Sequence, residues 1–296
     1  MSTVIHPETS AEADQDGARP LDGRARDRRS LVLIVGLVLV GTVVLAAILS
    51  ILWLPFDPSD TTGGRLESPG LGHWLGTDRL GRDLFTQVMI GARIALVTGV
   101  GAVGVGAAIG IPVGLCAAFA SGWVDDTMSA AMDILIAFPV LLLAMLIVAV
   151  QGASLVSVTV AIGLSMSAIV ARLTRVVAKR VLAQQYITAA RTSGTSWLSI
   201  VRQHVLPNIW PTISVNLASQ FGVAVLAEAS LSYLGLGAPP PNASWGRLLQ
   251  EAQGTVLTAP LGAVAPGLAL VALVIGVNLM VDGLRDISDP TQSRAR

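Results

Sequence analysis

The amino-acid sequence predicts an all-helical, polytopic membrane protein with six transmembrane helices and both termini in the cytoplasm. Of its 296 residues, 53% are apolar and 13% are charged, whereas an ordinary soluble domain carries about 25% charged residues. The apolar residues form long charge-free runs, and Lys and Arg gather in one set of the loops between them. Lipid is therefore the expected solvent for most of the chain.

Six apolar runs are long enough to cross the bilayer, because a helix rises about 1.5 Å per residue and about 20 residues span the hydrocarbon core. The first run ends at Pro55, and Gln151-Gly152-Ala153-Ser154 is the natural turn between the third and fourth runs. Pro112, Pro139 and Pro266 are expected to bend their helices. The predicted spans cover about 31–54, 94–119, 130–150, 155–173, 209–234 and 261–282.

The segments outside the spans differ strongly in charge. Residues 1–30 are polar and lack apolar periodicity, which predicts a disordered cytoplasmic tail, and residues 286–296 form a second tail. Fourteen of the 19 Lys and Arg residues fall before residue 31, after Asp282 or in the internal loop 172–204. Only four fall in the loops on the other side and Arg93 lies at a span boundary, so the first set is expected to face the cytoplasm.

The residues give no support for enzymatic or metal chemistry. A P-loop needs Gly-Lys followed by Ser or Thr, but the only lysine, Lys179, follows Ala178 and precedes Arg180. The three histidines are far apart and predict no metal site, and the single cysteine, Cys116, excludes a disulfide within the chain. The net charge of zero argues against a nucleic-acid partner.

The internal loop between Arg172 and His204 is the most informative segment. Residues 178–191 are mostly helix formers, and Gly194 is placed to adopt a positive φ. Ser196 can cap a second helix, which is expected to run to Val205 and end before Pro207. The sequence therefore predicts two helices joined by a tight turn on the cytoplasmic side.

Two interpretations of this helical hairpin are open. It either packs only under its own bundle or presents a docking surface to a partner. Trp197, Leu198, Ile200 and Val201 make it more apolar than a solvated loop needs to be. An exposed apolar helix on an aqueous face usually marks a partner site, which favours docking.

The pattern of Ala189-Ala190, Gly194 and Leu206-Pro207 resembles the cytoplasmic EAA loop of ABC-importer permeases. The resemblance implies that a short helix of the loop rests in a groove on a separate ATP-binding subunit and transmits its closure. The family usually carries Glu where this chain has Thr188, so no salt bridge is expected there. The implied ATPase-coupling residues are Tyr186, Thr188, Ala189, Ala190, Gly194, Leu206 and Pro207.

Further motifs narrow the resemblance to the C-type member of the dipeptide/oligopeptide/nickel permease subfamily. The resemblance extends over most of the chain and implies a type I ABC-importer permease fold in the bacterial inner membrane. The motifs are Leu75-Gly76-Thr77-Asp78-Arg79-Leu80-Gly81-Arg82-Asp83, Gly91-Ala92-Arg93, residues 227–237, Ser244-Trp245-Gly246 and residues 278–290.

The same resemblance implies a function and a set of partners. The chain would form half of the translocation pathway of an ATP-driven, binding-protein-dependent importer of di- or oligopeptides. The implied partners are a second homologous permease, one or two P-loop subunits that bind ATP and Mg, and an extracytoplasmic substrate-binding protein. The chain itself is expected to hold no cofactor and no catalytic residue. Alternatives are a nickel or other small-solute importer, an ion-coupled secondary transporter working alone, and a membrane scaffold without a path.

Polar residues within the predicted spans are further candidates, because charges in lipid are costly and usually face a cavity or a partner. Asn216 and Gln220 lie one helical turn apart and are predicted to line the path, with helix–helix hydrogen bonding as the alternative. Glu228, in the same span, is predicted to have a structural or gating role. Asp125 and Asp126 are adjacent in a short inner loop and are expected to be solvated.

Overall fold

The computed structural model describes residues 22–239 and 243–288, and most of these residues are helical. Among them the only strand-like pairing is a single bridge between Thr77 and Asp83. The predicted all-helical class is therefore confirmed. In chain order the ten α-helices of the described ranges are α1 Asp22–Leu52, α2 Leu84–Phe119, α3 Trp123–Ala137, α4 Val140–Gln151, α5 Leu155–Leu182, α6 Gln185–Thr192, α7 Trp197–Ile200, α8 Leu206–Tyr233, α9 Trp245–Ala252 and α10 Leu261–Ser288.

The longer helices have the length and composition of membrane spans. Five helical stretches within the described ranges qualify individually, and a sixth span results if the bent pair α3 and α4 is counted as one. This agrees with the predicted polytopic membrane fold. The side of the membrane that each end faces stays a prediction.

Helices α2 and α5 pack side by side and run parallel. Gly106 lies against Gly163, and further along both helices Gly110 lies against Ser167 and Gly114 against Ala171. A Cβ atom on Gly110 would come within 2.6 Å of the Ser167 carbonyl oxygen. The absence of side chains at these positions lets the two backbones approach closely, as in many membrane bundles.

This parallel pair fixes which segments share an end of the bundle. The chain runs along α2, returns through α3 and α4, and then runs along α5 in the same direction as α2. The turn 120–122 after α2 and the segment 183–205 after α5 therefore lie at one end, which we call the coupling end. The loops 53–83, 152–154 and 234–244 lie at the opposite end, which we call the far end. The ring of Phe119, just before the first coupling-end turn, is 5.9 Å from the ring of Trp197 in the second.

Several helices extend beyond the predicted spans. Helix α1 begins at residue 22, inside the predicted tail 1–30, whereas residues 1–21 and 289–296 lie outside the described ranges. Helix α2 begins ten residues before the predicted start at 94, because Asp83 caps it by accepting a 2.8 Å hydrogen bond from the Thr86 amide. The stretch between the predicted spans 209–234 and 261–282 contains helix α9.

The third predicted span is broken. Helices α3 and α4 are bent by 87° at the break between them. Phe138 is extended and Pro139 forms the N-cap of α4, as expected because a residue before proline is disfavoured in the helical region. The predicted bend at Pro139 and the predicted turn at 151–154, where Gly152 has a φ of 85°, are confirmed.

Candidate coupling site and polar residues of the spans

The predicted helix 178–191 is interrupted, and the prediction of one continuous helix was wrong. Helix α5 ends at Leu182, Gln184 is extended, and α6 begins at Gln185. Ile187 of α6 is 0% exposed and belongs to an apolar cluster at the coupling end. A straight continuation of α5 would carry this isoleucine away from the bundle, so burial overrides local helix propensity.

The turn after α6 has the predicted chemistry. Gly194 has a φ of 78°, in the left-handed region that favours glycine. The Thr195 amide donates to the Ala190 carbonyl at 3.1 Å and the Gly194 amide donates to the Arg191 carbonyl at 3.0 Å, which is the Schellman pattern. Ser196 then caps α7 by accepting from the Ser199 amide at 3.3 Å. The turn is therefore held by its backbone in a defined shape.

The second predicted helix does not end before Pro207. Helix α7 passes through a π-helical segment, Val201–Val205, directly into α8. Pro207 lies in the first turn of α8, directly after the π-helical segment. The exposed Pro207 and the half-buried Leu206 thus join the loop to a transmembrane helix rather than separating them.

One face of this loop is buried and the other is open. Ile187, Ile200 and Val205 pack into the cluster formed with α2, α5 and α8. On the opposite face Trp197 and Leu198 are each 61% exposed, which is unusual for large apolar side chains on an aqueous surface. We call this face the coupling surface, and its exposed residues are Tyr186, Thr188, Ala189, Arg191, Gly194, Trp197 and Leu198, with Ala190 half-buried beside them.

Helix α6 is connected to the beginning of α8 through Tyr186. The Tyr186 ring meets the His204 ring edge-on at 5.9 Å. The Asn208 side-chain amide donates to the Tyr186 hydroxyl at 3.4 Å and to the His204 carbonyl at 2.7 Å. Thr188 points outward, and no other described residue hydrogen-bonds its hydroxyl.

An ion-pair cluster at the coupling end was missed by the sequence reasoning. Asp125 is 9% exposed, and its carboxylate accepts from Arg175 Nε at 2.7 Å and from Lys179 Nζ. The expectation that Asp125 is solvated was therefore wrong, although Asp126 is exposed. The available signal was two basic residues four apart at the end of α5, because such residues share one helix face.

Glu228 does not share the helix face of Asn216 and Gln220 on α8. The open face of α8 carries Val223 and Leu226. Gln220, one turn before Val223, is 8% exposed, while Asn216 is half-buried with an Oδ1 atom that has no hydrogen-bond partner among the described residues. Glu228 is 2% exposed on the opposite side. Their assignment to a path stays a prediction.

Glu228 instead connects elements of the far end. It accepts a 2.6 Å hydrogen bond from the Ser232 hydroxyl and is also hydrogen-bonded by Ser244. Ser244 is the N-cap of α9, and the Trp245 indole donates to the Val88 carbonyl of α2 at 3.0 Å. This geometry favours a structural or gating role for Glu228, because the carboxylate holds the first turn of α9 against α8.

A set of ion pairs fixes the same helix to the far-end loop. Arg82 donates to Asp78 at 2.6 Å within the loop and to Glu251 of α9 at 2.7 Å. Arg247 also bonds Glu251 at 2.9 Å. The far end is therefore a connected structure, with α9 attached both to the membrane helices and to the loop that precedes α2.

The described residues thus form an all-helical bundle with membrane-length helices and an open, structured coupling surface at one end. Residues 110–294 match the family described as "Binding-protein-dependent transport system inner membrane component". The chain belongs to this family: it is a permease subunit of an ABC importer, located in the inner membrane, and such subunits work with separate ATPase and binding-protein partners. The sequence resemblance is confirmed.

Similar proteins support this assignment. The chain is 40% identical over 224 residues to the glutathione transport system permease protein GsiD of Pectobacterium atrosepticum, covering 76% of this chain and 74% of that protein. It is 40% identical over 235 residues to the protein of the same name from Escherichia coli O157:H7, covering 79% and 76%.

Solved structures of the MetNI methionine ABC transporter in inward-facing conformations share the fold. In one crystal form the TM-score is 0.58 at 21% identity, over 69% of this chain and 97% of that chain. In a second crystal form it is 0.53 at 21% identity, over 70% and 96%.

Replacing Glu228 tests its role in holding α9. The change Glu228→Leu removes the acceptor for two hydroxyls, and buried unsatisfied donors cost about 1–3 kcal/mol each, so we expect a lower unfolding temperature in detergent and faster proteolysis near α9. The matched control Glu228→Gln keeps an acceptor oxygen and should lose much less. Equal stability of the leucine variant and the parent protein would contradict the role.

Proposed function

We propose that this chain is one of two homologous permease subunits of an ATP-driven, binding-protein-dependent importer of di- or oligopeptides. It contributes half of the translocation pathway and is moved by one or two separate P-loop subunits, which bind ATP and Mg. An extracytoplasmic binding protein delivers the cargo. The observation that carries this proposal is the coupling surface. It is a structured helical loop with exposed apolar side chains, and the chain belongs to a permease family.

The coupling surface has the properties of a docking site for an ATPase. Its buried face attaches it to α2, α5 and α8 through one apolar cluster, so a force on the open face is passed to three membrane helices. Its open face presents Trp197 beside Leu198, and aromatic anchors of this kind are common in protein interfaces. Thr188 offers a neutral hydroxyl there, so no salt bridge is expected at that position.

The charge distribution supports a cytoplasmic position for the coupling end. Fourteen of the 19 Lys and Arg residues belong to segments at this end or to the chain termini, and positive residues concentrate on the cytoplasmic side of membrane proteins. The binding protein would then meet the far end. Alternating access follows if ATPase closure moves the coupling surface and the attached helices reorient around a cavity shared with the second permease.

Peptide-like cargo is supported by the relatives. The two proteins at 40% identity are named as glutathione permeases, and glutathione is a small peptide. Nickel complexes and other small solutes are the alternative cargo. An ion-coupled transporter working alone is not favoured, because the family match describes a binding-protein-dependent system.

Changing Gly194 tests the coupling surface. A β-branched residue is strained at a φ of 78°, so Gly194→Val should distort the turn after α6 and uncouple ATP hydrolysis from uptake in the assembled transporter. The control Gly194→Asn tolerates the left-handed region and should retain most uptake. Uptake and cargo-stimulated ATPase activity are measured together in proteoliposomes. Normal uptake per ATP in the valine variant would count against docking through this turn.

Changing Gln220 tests its predicted place on the path. We expect Gln220→Leu to lower uptake, because the path loses a polar group, while ATPase subunits still co-purify. The control is Ser219→Ala on the same helix, since the Ser219 hydroxyl already bonds the Val215 carbonyl of its own helix at 3.2 Å. Unchanged uptake in the leucine variant would remove Gln220 from the path.

A further inference from the structure

We propose that Asp125 is a positioning residue for energy coupling. Its carboxylate clamps α3 to the basic end of α5, so that movement of the coupling surface is passed to α3 and, through the break at Pro139, to α4. We call Asp125, Arg175 and Lys179 the α3–α5 clamp. The inference rests on the proposed function, because it assumes that an ATPase subunit moves the coupling surface.

The geometry of the clamp is specific. Each carboxylate oxygen of Asp125 has its own partner: Oδ1 accepts from Arg175 Nε at 2.7 Å and Oδ2 accepts from Lys179 Nζ. The side chains of Asp125 and Arg175 are 13% and 18% exposed, whereas that of Lys179 is 37% exposed, so water screens the arginine pair much less than a surface pair. Removing the carboxylate would leave two cations close together at a partly buried site.

The clamp lies next to the coupling surface. Lys179 is in the last turn of α5, where its carbonyl accepts a 3.1 Å hydrogen bond from the Ala183 amide. Helix α6 begins two residues after Ala183, at Gln185. A shift of α6 therefore acts on the end of α5 that holds Asp125.

Few other contacts determine the position of α3. Its buried residues are Asp125 and Met132, and Met132 packs in a small cluster with Ala117 and Ala171. The remaining ion pair, from Asp133 to Arg172 at 2.9 Å, is about half exposed on both sides and is expected to contribute little. The clamp is thus the main polar attachment of α3 to the bundle.

The other end of α3 leads into the membrane part of the bundle. Helix α4 follows α3 after the bend of 87°. Ala144 and Val148 of α4 pack in one cluster with Ala224 and Leu231 of α8. A contiguous route therefore runs from the coupling surface through the clamp, α3 and α4 to the far half of α8, in addition to the direct connection through Tyr186.

The experiment compares two adjacent carboxylates in the complete transporter. Asp125→Asn removes the charge that holds the clamp, whereas Asp126→Asn makes the same chemical change on an exposed neighbour. We expect the first variant to transport about tenfold less cargo per ATP hydrolysed, a typical allosteric coupling, with ATPase subunits still co-purifying. The second variant should match the parent protein. Equal cargo per ATP in both variants would overturn the proposal.

A charge exchange provides the rescue. The double change Asp125→Arg with Arg175→Asp keeps one carboxylate and two cations in the cluster, because Lys179 lies four residues from position 175 on the same helix face. We expect it to recover cargo per ATP relative to either single change. A loss equal to that of the single changes would contradict a clamp held by charge.

A labelling measurement needs no change to the clamp. Lys179 is the only lysine of the chain, and Arg180→Lys adds an exposed reference amine beside it. In the complete transporter an amine-reactive reagent should modify Lys179 several-fold more slowly than the introduced lysine, with and without ATP. Equal rates would show that the clamp is open and would overturn the inference. If the ATPase does not co-purify with the parent protein, the proposed function itself fails, which distinguishes the two failures.

Discussion

Helices α2 and α5 run side by side with glycine backbones in contact, and this pair determines where the other elements can lie. A Cβ atom on Gly110 would stand 2.6 Å from the Ser167 carbonyl oxygen, so the close approach depends on the missing side chain. Because the two helices are parallel, the chain must return between them, which α3 and α4 do. Both helices then end at the coupling end, where Phe119 of α2 meets Trp197 of the loop that follows α5.

The coupling end uses this arrangement to combine a rigid support with an open face. Burial of Ile187 turns α6 under the bundle, and the Schellman turn at Gly194 reverses the chain, so the side chains left exposed include Trp197. The charged cluster around Asp125 then attaches the first turn of α3 to the same end of α5. Apolar and ionic contacts thus make the end of α5 the common attachment of the loop and of the broken third span.

Features that depend on local chemistry could be predicted from the sequence, and features that depend on distant contacts could not. Gly194 favours a positive φ and Pro139 disfavours a helical Phe138, so the turn and the bend could be predicted, whereas Pro207 did not end its helix as expected. The interruption after Leu182 depends on where Ile187 finds burial. Asp125 pairs with Arg175, which lies 50 residues further along the chain. No local pattern around Asp125 shows that these two residues meet. Polarity alone does not reveal which face of α8 is buried, so the assignment of Asn216 and Gln220 to a path stays a prediction.

The central claim is that this permease subunit moves cargo only when a separate ATPase acts on its coupling end. The most direct measurement is uptake against a gradient in liposomes that contain this chain with its sister permease and binding protein, with and without the ATPase subunits. The account predicts that uphill uptake requires the ATPase subunits and ATP and is abolished without them. Uphill uptake by the membrane subunits alone would contradict it.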